Sequence, residues 1–498
     1  MFGKRASWIA LALTLFSAGC QNALEQRVET ALFNPDQVGI RWGLVVADMD
    51  GNERLAMRAE DRFTPASNTK IITTMAAYHW LDKLESPAQS PGTRVFVEPD
   101  LAGGLPDLVL KGSGDAMLSD GPECDPYCLS DLADQIASLN HPAYDEIIGD
   151  DTWFPFERWG VGWSVEDLQY YYGTAVSALS LNDNLVWVDI LPAAVPGAPA
   201  QISWQAGDAY FDLINQVETV TEEADQAVRV ERHPGAESVR VYGTIPVDTD
   251  GLSFGLAIDN PAAFAALRLQ NLLAERDIET ARTSTRYRPL TLADEPPAPD
   301  DENTESGSSF LPSAPESDPV ATLASAPLRS SLKRISKDSE NLHAELVLRR
   351  LSRLQGTGSR DYGVAALDRF LSEAGVTPQR INVHGGSGMS IYNRISPRGM
   401  VQLLAFAADQ PWFDAWLADQ PIGGVDGSLK RRFKSTSLEG RVFAKTGTLN
   451  GTNALSGVMI AQSGDYLLFS IIANDRPPGT SSAIAEMDAA LNAIAAAY

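Results

Sequence analysis

The sequence predicts an α+β protein in which a two-part domain of helices and strands is interrupted by a large, mostly β insertion. Apolar residues recur at helical spacing on both sides of this insertion, over residues 67–83, 341–353 and 397–407. In the intervening part, from about residue 90 to about residue 290, short alternating strands are separated by Pro, Gly and Asp turns. The C-terminal part adds strand-like stretches, at 440–446, 453–461 and 466–473, before an Ala-rich final helix.

The 498-residue chain is long enough for two or three domains. A helix over 22–33 and strands over 40–48 and 53–58 begin the two-part domain. Residues 294–319 are rich in Pro, Ser and acidic residues and predict a disordered loop. The expected segments are a signal peptide at 1–19, the two-part domain at 22–88 and 320–498, the insertion at 89–293, and the loop at 294–319.

The N-terminal residues have the pattern of an export signal. Lys4 and Arg5 precede an apolar run from Trp8 to Phe16, which is too short to cross a bilayer. Small residues then lead into Cys20, which resembles the cleavage site of a bacterial lipoprotein, although Ser17 stands where such sites usually carry Leu. The sequence therefore predicts a periplasmic or envelope protein, and leaves open lipid attachment at Cys20 or plain cleavage.

Charge and cysteine content exclude several classes. A formal net charge of -26 argues against nucleic-acid binding and against electrostatic attachment to anionic lipid. Cys124 and Cys128 flank a turn, so in an oxidising compartment we expect them to form a disulfide. The five His residues have no metal-ligand spacing, and no metal site is expected.

The first chemical motif is Ser67-Asn68-Thr69-Lys70, at the start of a predicted helix. Residues three apart share a helical face, so Lys70 can reach the Ser67 hydroxyl. A serine hydroxyl needs such a neighbouring base to become a nucleophile. Alone, the pattern is weak, because Ser and Lys three residues apart are common and favour an ordinary helix start with a solvated Lys.

The second motif is Ser339-Glu340-Asn341, directly before the predicted helix at 341–353. Its hydroxyl could relay protons and its amide could bind a substrate carbonyl. A rival triplet, Ser180-Leu181-Asn182, leads into a strand-like run and is interpreted as structural. A Gly-x-Ser-x-Gly pattern at 251–255 lacks the strand-to-helix setting that a nucleophile elbow requires.

The third motif is Lys445-Thr446-Gly447-Thr448, at the end of a strand-like stretch. A basic residue and hydroxyls on an edge strand suit a substrate carboxylate, and Gly447 would allow close approach to the backbone. The alternative is an ordinary strand end that runs into the Asn450-Gly451 turn.

Together, Ser-x-x-Lys, Ser-x-Asn and Lys-Thr-Gly form the ordered set found in penicillin-binding proteins and class A β-lactamases. More than half of the chain separates Ser67 from Ser339, which requires a large insertion between the first two motifs. With segments such as LKGSGDAML, HGGSGMS and GGVDGSLKRRF, the chain resembles the class C low-molecular-mass penicillin-binding proteins, a D-alanyl-D-alanine carboxypeptidase/endopeptidase family. Glu340 departs from the usual Asp of the second motif.

The resemblance implies a penicillin-binding, β-lactamase-like serine transpeptidase domain, with helices around a five-stranded antiparallel sheet and with no metal or organic cofactor. Its substrates would be peptidoglycan stem peptides, and β-lactam antibiotics would inhibit it. Ser67 would be the nucleophile and Lys70 its base, while Ser339 and Lys445 would assist proton transfer. The implied substrate-binding residues are Asn341, Thr446, Gly447, Thr448 and, for the free amine of the diamino acid, Asp151.

Three alternatives remain at this stage. Asp151 has the simpler interpretation of a turn or capping residue. The protein could be a β-lactamase, although a small antibiotic needs no large insertion. It could also be a catalytically weak envelope binding protein on the same fold, although the motif set is intact.

Overall fold

The computed structural model describes residues 23–204, 210–296, 318–477, 480 and 482–498. The predicted signal peptide, Cys20 and most of the predicted acidic loop lie outside these residues. Within them, no helix combines the length and apolar character needed to cross a bilayer.

The elements follow one another in chain order. The helices are α1 (residues 23–32), α2 (Thr69–His79), α3 (Leu81–Leu84), α4 (Leu129–Ala137), α5 (Pro261–Ala274), α6 (Leu328–Lys337), α7 (Asn341–Arg353), α8 (Arg360–Glu373), α9 (Pro397–Ala408), α10 (Phe413–Ala418) and α11 (Ile484–Ala495). The strands are β1 (Arg41–Asp48), β2 (Glu53–Met57), β3 (Thr93–Glu98), β4 (Asp107–Lys111), β5 (Ala143–Pro155), β6 (Leu185–Leu191), β7 (Gln201–Trp204), β8 (Asp212–Val220), β9 (Arg229–Glu231), β10 (Ser238–Pro246), β11 (Leu252–Ala257), β12 (Glu279–Arg288), β13 (Ala321–Leu323), β14 (Ile381–Asn382), β15 (Arg394–Ile395), β16 (Val442–Leu449), β17 (Thr452–Ile460) and β18 (Tyr466–Asn474).

These elements form two compact units. The first runs to His79 and resumes over Lys333–Ser339 and Leu367–Tyr498, and the second contains Trp80–Leu332 and Glu340–Ala366.

The first unit is built on a five-stranded sheet in the order β16-β17-β18-β1-β2. Every neighbouring pair in this sheet is antiparallel, as predicted. Helix α9 packs against β1 and β18, and α1 and α11 contribute to a core with the sheet. Residues of this core include Leu24, Val28, Leu44, Val46, Leu455, Phe469, Met487 and Leu491.

The second unit contains the strands of the predicted insertion. Its largest sheet has the order β12-β5-β4-β3-β13, and two three-stranded sheets have the orders β8-β10-β9 and β11-β6-β7. The pairs β4–β5, β5–β12 and β8–β10 are parallel, and α5 packs against β5 and β12. The insertion is thus rich in strands, as predicted, but also contains the two helices α4 and α5.

Helix α7 also belongs to the second unit, whereas the sequence analysis assigned it to the two-part domain. Leu342 and Leu346 share a buried cluster with Phe154. Arg349 forms an ion pair of 2.5 Å with Glu157. Apolar and charged side chains of α7 therefore both have partners in this unit. The domain boundaries remain a prediction.

Two other predicted features lie wholly or partly within the described residues. Cys124 and Cys128 form a disulfide, as predicted. Asp294, the first residue of the predicted disordered loop, is buried and forms an ion pair of 2.8 Å with Arg288. The loop itself, from 297 to 317, lies outside the described residues.

Candidate active site

Ser67 lies on a tight turn that leads directly into α2. The turn is a short 3-10 helix, Ala66–Asn68, and Ala66 has a φ of 50°. A left-handed conformation costs about 1 kcal/mol or more for a non-glycine residue, and such strain is concentrated at functional sites. The Thr69 hydroxyl donates to the Ala66 carbonyl at 3.0 Å, which stabilises the turn and leaves the Ser67 side chain half-buried.

Lys70 contacts the Ser67 hydroxyl directly. Its Nζ lies 2.8 Å from Ser67 Oγ, the geometry predicted from the helical spacing. Lys70 is 1% exposed, because α2 is buried on nearly all sides. A lysine enclosed in this way is poorly hydrated, so the ammonium form loses much of its stabilisation by water. The pair can therefore transfer a proton from the serine to the lysine.

A third group fixes the lysine from a distant part of the chain. Lys70 Nζ also donates to the Ser387 carbonyl at 2.6 Å. The segment bearing Ser387 is held against α2 by Thr73, whose hydroxyl donates to the Gly386 carbonyl at 2.7 Å. Gly388 has a φ of 90°, and a Cβ there would lie 2.1 Å from the Ala66 carbonyl oxygen. Only glycine allows this close approach to the Ser67 turn.

A second lysine–serine pair lies in the same unit. Lys445 Nζ donates to Ser339 Oγ at 2.8 Å, and Ser339 has a φ of 66° at the end of the segment that follows α6. Burial, and secondarily the positive charge of Lys70, lower the pKa of Lys445 well below that of an ordinary lysine. The repulsion is mutual, so a proton on one lysine disfavours a proton on the other.

Strand β16 carries the third motif at the edge of the sheet. Asn68 Nδ2 donates to the Lys445 carbonyl at 2.9 Å and joins the Ser67 turn to this strand. A Cβ at Gly447 would lie 2.6 Å from the Pro65 carbonyl oxygen. The glycine therefore allows β16 to pack against the turn, a role that the sequence analysis did not identify. Its predicted contact with substrate remains a prediction.

The two threonines of this strand have different surroundings. The Thr446 hydroxyl donates to Ser428 Oγ at 2.8 Å. The exposed Thr448 accepts a hydrogen bond of 3.4 Å from Asn453 Nδ2. A hydroxyl that accepts one hydrogen bond still has its proton available for an anionic ligand.

Asn341 and Asp151 belong to the second unit and contact other residues there. Asn341 Nδ2 donates to the Tyr172 carbonyl at 2.7 Å. Asp151 is buried, lies 2.5 Å from Arg158 and accepts a hydrogen bond of 3.0 Å from the Ser177 hydroxyl. These contacts favour the structural interpretation of Asp151, and its proposed contact with a substrate amine remains a prediction.

The structure thus brings together Ser67, Lys70, Ser339, Lys445 and the strand 446–448 in one unit. The sequence analysis missed Ser387, Gly388 and Ser428. All three lie in the segments HGGSGMS and GGVDGSLKRRF, but no sequence pattern indicates that they contact Lys70 or Thr446. In the described part of the chain, no group of three or more His, Cys, Asp or Glu residues could hold a metal ion.

The first unit combines a five-stranded antiparallel sheet, whose edge strand carries Lys-Thr-Gly, with a Ser-x-x-Lys motif joined to that strand. This combination defines an active-site-serine penicillin-binding enzyme. A family model described as D-Ala-D-Ala carboxypeptidase 3 (S13) matches residues 24–294 and 305–497. The chain belongs to this family.

Individual relatives agree with this assignment. A D-alanyl-D-alanine carboxypeptidase of an Actinomadura species is 30% identical over 470 residues, which cover 91% of this chain and 81% of the relative. D-alanyl-D-alanine carboxypeptidase DacB of Haemophilus influenzae is 25% identical over 451 residues, covering 86% and 85%. The crystal structure of penicillin-binding protein 4 from Haemophilus influenzae superposes with a TM-score of 0.75 at 20% identity and covers 95% of this chain and 98% of that one. This structural match confirms the predicted fold.

Proposed function

We propose that this protein is a serine D-alanyl-D-alanine carboxypeptidase that acts on peptidoglycan stem peptides through an acyl-enzyme on Ser67. The observation that carries the proposal is the distance of 2.8 Å between Lys70 Nζ and Ser67 Oγ, with the lysine held by the Ser387 carbonyl. This arrangement provides a nucleophile and its base at one fixed position.

Acylation begins when Ser67 Oγ attacks the carbonyl carbon between the two terminal D-alanines. Neutral Lys70 accepts the hydroxyl proton as the new C–O bond forms. The backbone N–H groups of Ser67 and Thr448 are the proposed oxyanion donors, and one such donor typically contributes about 3 kcal/mol to transition-state stabilisation. The tetrahedral intermediate then collapses and the C–N bond breaks.

The leaving D-alanine needs a proton on its nitrogen. The second pair, Ser339 and Lys445, is suited to supply it, because the two groups share a hydrogen bond of 2.8 Å and burial favours the neutral amine of Lys445. Ser339 would donate its hydroxyl proton to the departing nitrogen. The proton that Lys70 took from Ser67 would then replace the one lost by Ser339. Water then attacks the acyl ester and releases the shortened peptide.

Substrate orientation would depend on hydroxyl and amide side chains. The hydroxyls of Thr446 and Thr448 would bind the terminal carboxylate, and Asn341 would hold the acyl chain. A free carboxylate is the feature that distinguishes a chain end from an internal peptide bond. Endopeptidase activity on cross-linked peptides would use the same acyl-enzyme on Ser67.

Incubation with purified muropeptides tests this function. The wild-type protein should release D-alanine, with each peptide product lighter by one residue. The Ser67→Ala variant should release none and should no longer be labelled by fluorescent penicillin, because both reactions require the same hydroxyl. Release of D-alanine by the variant would contradict the assignment of Ser67.

We also propose that the protein is exported and works in the bacterial envelope, because its substrate lies there and its first residues have the pattern of an export signal. Intact mass of the protein recovered from an envelope fraction would test this. A mature chain beginning at Cys20 with added acyl mass would indicate a lipid anchor, whereas an unmodified start would indicate a periplasmic enzyme.

A further inference from the structure

We propose that Ser428 is a positioning residue that orients the Thr446 hydroxyl toward the substrate carboxylate and so sets the affinity for free chain ends. This inference rests on the proposed function. Ser428 lies outside the three sequence motifs, and its contact with Thr446, at 2.8 Å, joins it to the third motif.

Once a carboxylate binds, only one arrangement of the two hydroxyl protons is favourable. The two hydroxyl oxygens lie 2.8 Å apart, and either hydroxyl can donate to the other. A carboxylate can only accept hydrogen bonds, so Thr446 must turn its proton toward it. Ser428 can then rotate and donate to the Thr446 oxygen, which gives a chain from Ser428 through Thr446 to the carboxylate. Hydrogen bonds in such a chain strengthen one another.

The segment that carries Ser428 is fixed against the edge of the sheet. The backbone N–H of Gly423 donates to the Val442 carbonyl at 2.9 Å, and that of Ala444 donates to the Pro421 carbonyl at 3.1 Å. The segment thus follows β16, and Ser428 at its end is presented to Thr446. A hydroxyl on a mobile loop would give little orientation, whereas this one is held by main-chain hydrogen bonds.

An ion pair connects the same segment to the second motif. Lys337, at the end of α6, donates to Asp426 at 2.6 Å and to the Gln420 carbonyl at 2.6 Å. Asp426 also accepts from the backbone N–H of Ile422 at 2.9 Å. Lys337 is two residues before Ser339, so a single side chain holds both the Ser339 turn and the Ser428 segment around β16.

Gly427 shows how closely these segments pack. It has a φ of 54°, and a Cβ there would lie 2.8 Å from the Lys337 carbonyl oxygen. This close packing fixes the position of Ser428 and also stabilises the turn. Asp426 holds the same segment, so a substitution there should also affect the position of Ser428.

The test measures D-alanine release from a D-alanyl-D-alanine peptide by purified protein. Ser428→Ala should raise KM about fivefold, the effect of losing one ordinary hydrogen bond, and should leave kcat nearly unchanged. Ser428→Thr, which keeps the hydroxyl, should restore KM. Asp426→Asn should shift KM in the same direction. The exposed Ser437→Ala is the matched control and should leave both constants unchanged.

A double-mutant cycle separates positioning from a general structural effect. If Ser428 acts through Thr446, then Ser428→Ala should add no further loss in a Thr446→Val background. Additive losses, a fall in kcat at constant KM, or an unchanged KM in Ser428→Ala would each overturn the inference. If the wild-type protein itself releases no D-alanine, the proposed function fails instead.

Discussion

Two lysines in one unit determine the chemistry at the scale of single residues. Lys70 and Lys445 are each 1% exposed, and each contacts a serine hydroxyl at 2.8 Å. Two buried ammonium groups would repel each other and would lack water, so at least one must be neutral. A neutral amine can accept a proton, which an ordinary surface lysine cannot do at neutral pH.

The lowered pKa of Lys445 predicts a specific pH dependence of stability. Below the ordinary lysine pKa of about 10.4 the unfolded chain binds a proton at this residue, whereas the folded protein releases it at a lower pH. The unfolded state therefore binds more protons, and the free energy of unfolding must rise with pH between these two pKa values. One proton corresponds to a slope of at most about 1.4 kcal/mol per pH unit.

Lys445→Met should remove this contribution, because the replacement cannot be protonated in either state. Urea unfolding of both proteins from pH 7 to pH 9.5 measures the two slopes. Lys430→Met, at an exposed position, is the control for the loss of one lysine and should retain the wild-type slope. Equal slopes for Lys445→Met and the wild type would contradict the lowered pKa.

Elements, rather than single residues, bring Ser67, Ser339 and Lys445 together in the first unit. The turn Ala66–Asn68, the end of α6 and strand β16 each contribute one motif. The Gly386–Gly388 segment supports the first of them, since Gly388 is packed directly against Ala66 and Ser67. The geometry of the nucleophile should therefore depend on Gly388.

Gly388→Ala tests this dependence. The new Cβ would lie 2.1 Å from the Ala66 carbonyl oxygen, so the Ser67 turn must move away from its hydrogen bond with Lys70. We expect labelling by fluorescent penicillin to slow by at least about tenfold, since displacements of about 1 Å at a reactive group cost up to about 100-fold. The rate of labelling under single-turnover conditions is the measurement.

The control for Gly388→Ala is Gly464→Ala. Gly464 has a φ of 97°, similar to the 90° of Gly388, but has no atom within 4 Å of its added Cβ. It therefore reproduces the backbone strain without the collision. Equal labelling rates in the two variants would show that the Gly388 contact does not hold the nucleophile.

Local sequence patterns predicted strands β16, β17 and β18 and the contact between Ser67 and Lys70 well. Strand-like stretches at 440–446, 453–461 and 466–473 correspond closely to β16, β17 and β18, since buried strands of a central sheet have continuous apolar runs. The Ser67–Lys70 contact followed from helical spacing alone. Such features depend on neighbours in sequence, which is why they can be predicted without a structure.

Long-range contacts could not be predicted in this way. The Ser387 carbonyl that holds Lys70 is 317 residues away from it, and nothing in a carbonyl group marks it as a lysine partner. The parallel pairing of β8 with β10 and the assignment of α7 to the second unit depend on how distant segments pack. Asp151 was chosen by resemblance, and only the structure revealed its contact with Arg158.

The whole molecule distinguishes a peptidase from a β-lactamase. Both enzymes form the same acyl-enzyme, but a class A β-lactamase has a Glu that activates water against the ester. Three Glu residues lie between the second and third motifs, and none matches that role. Glu345 is buried in helix α7. Glu373 pairs with Arg369 at 2.8 Å, and Glu439 accepts from the Ser435 backbone at 2.8 Å.

Without such a base, the two kinds of acyl-enzyme should differ in lifetime. Penicillin remains attached as one bulky ester after ring opening, because its leaving group is tethered, and it blocks the approach of water. The natural ester has released D-alanine, which leaves room for water to attack. We therefore expect slow release of penicillin and sustained turnover of D-alanyl-D-alanine peptides. Steady-state penicillin hydrolysis measured beside D-alanine release compares the two reactions on one preparation. Fast, sustained hydrolysis of penicillin with no release of D-alanine would refute the peptidase assignment and identify a β-lactamase.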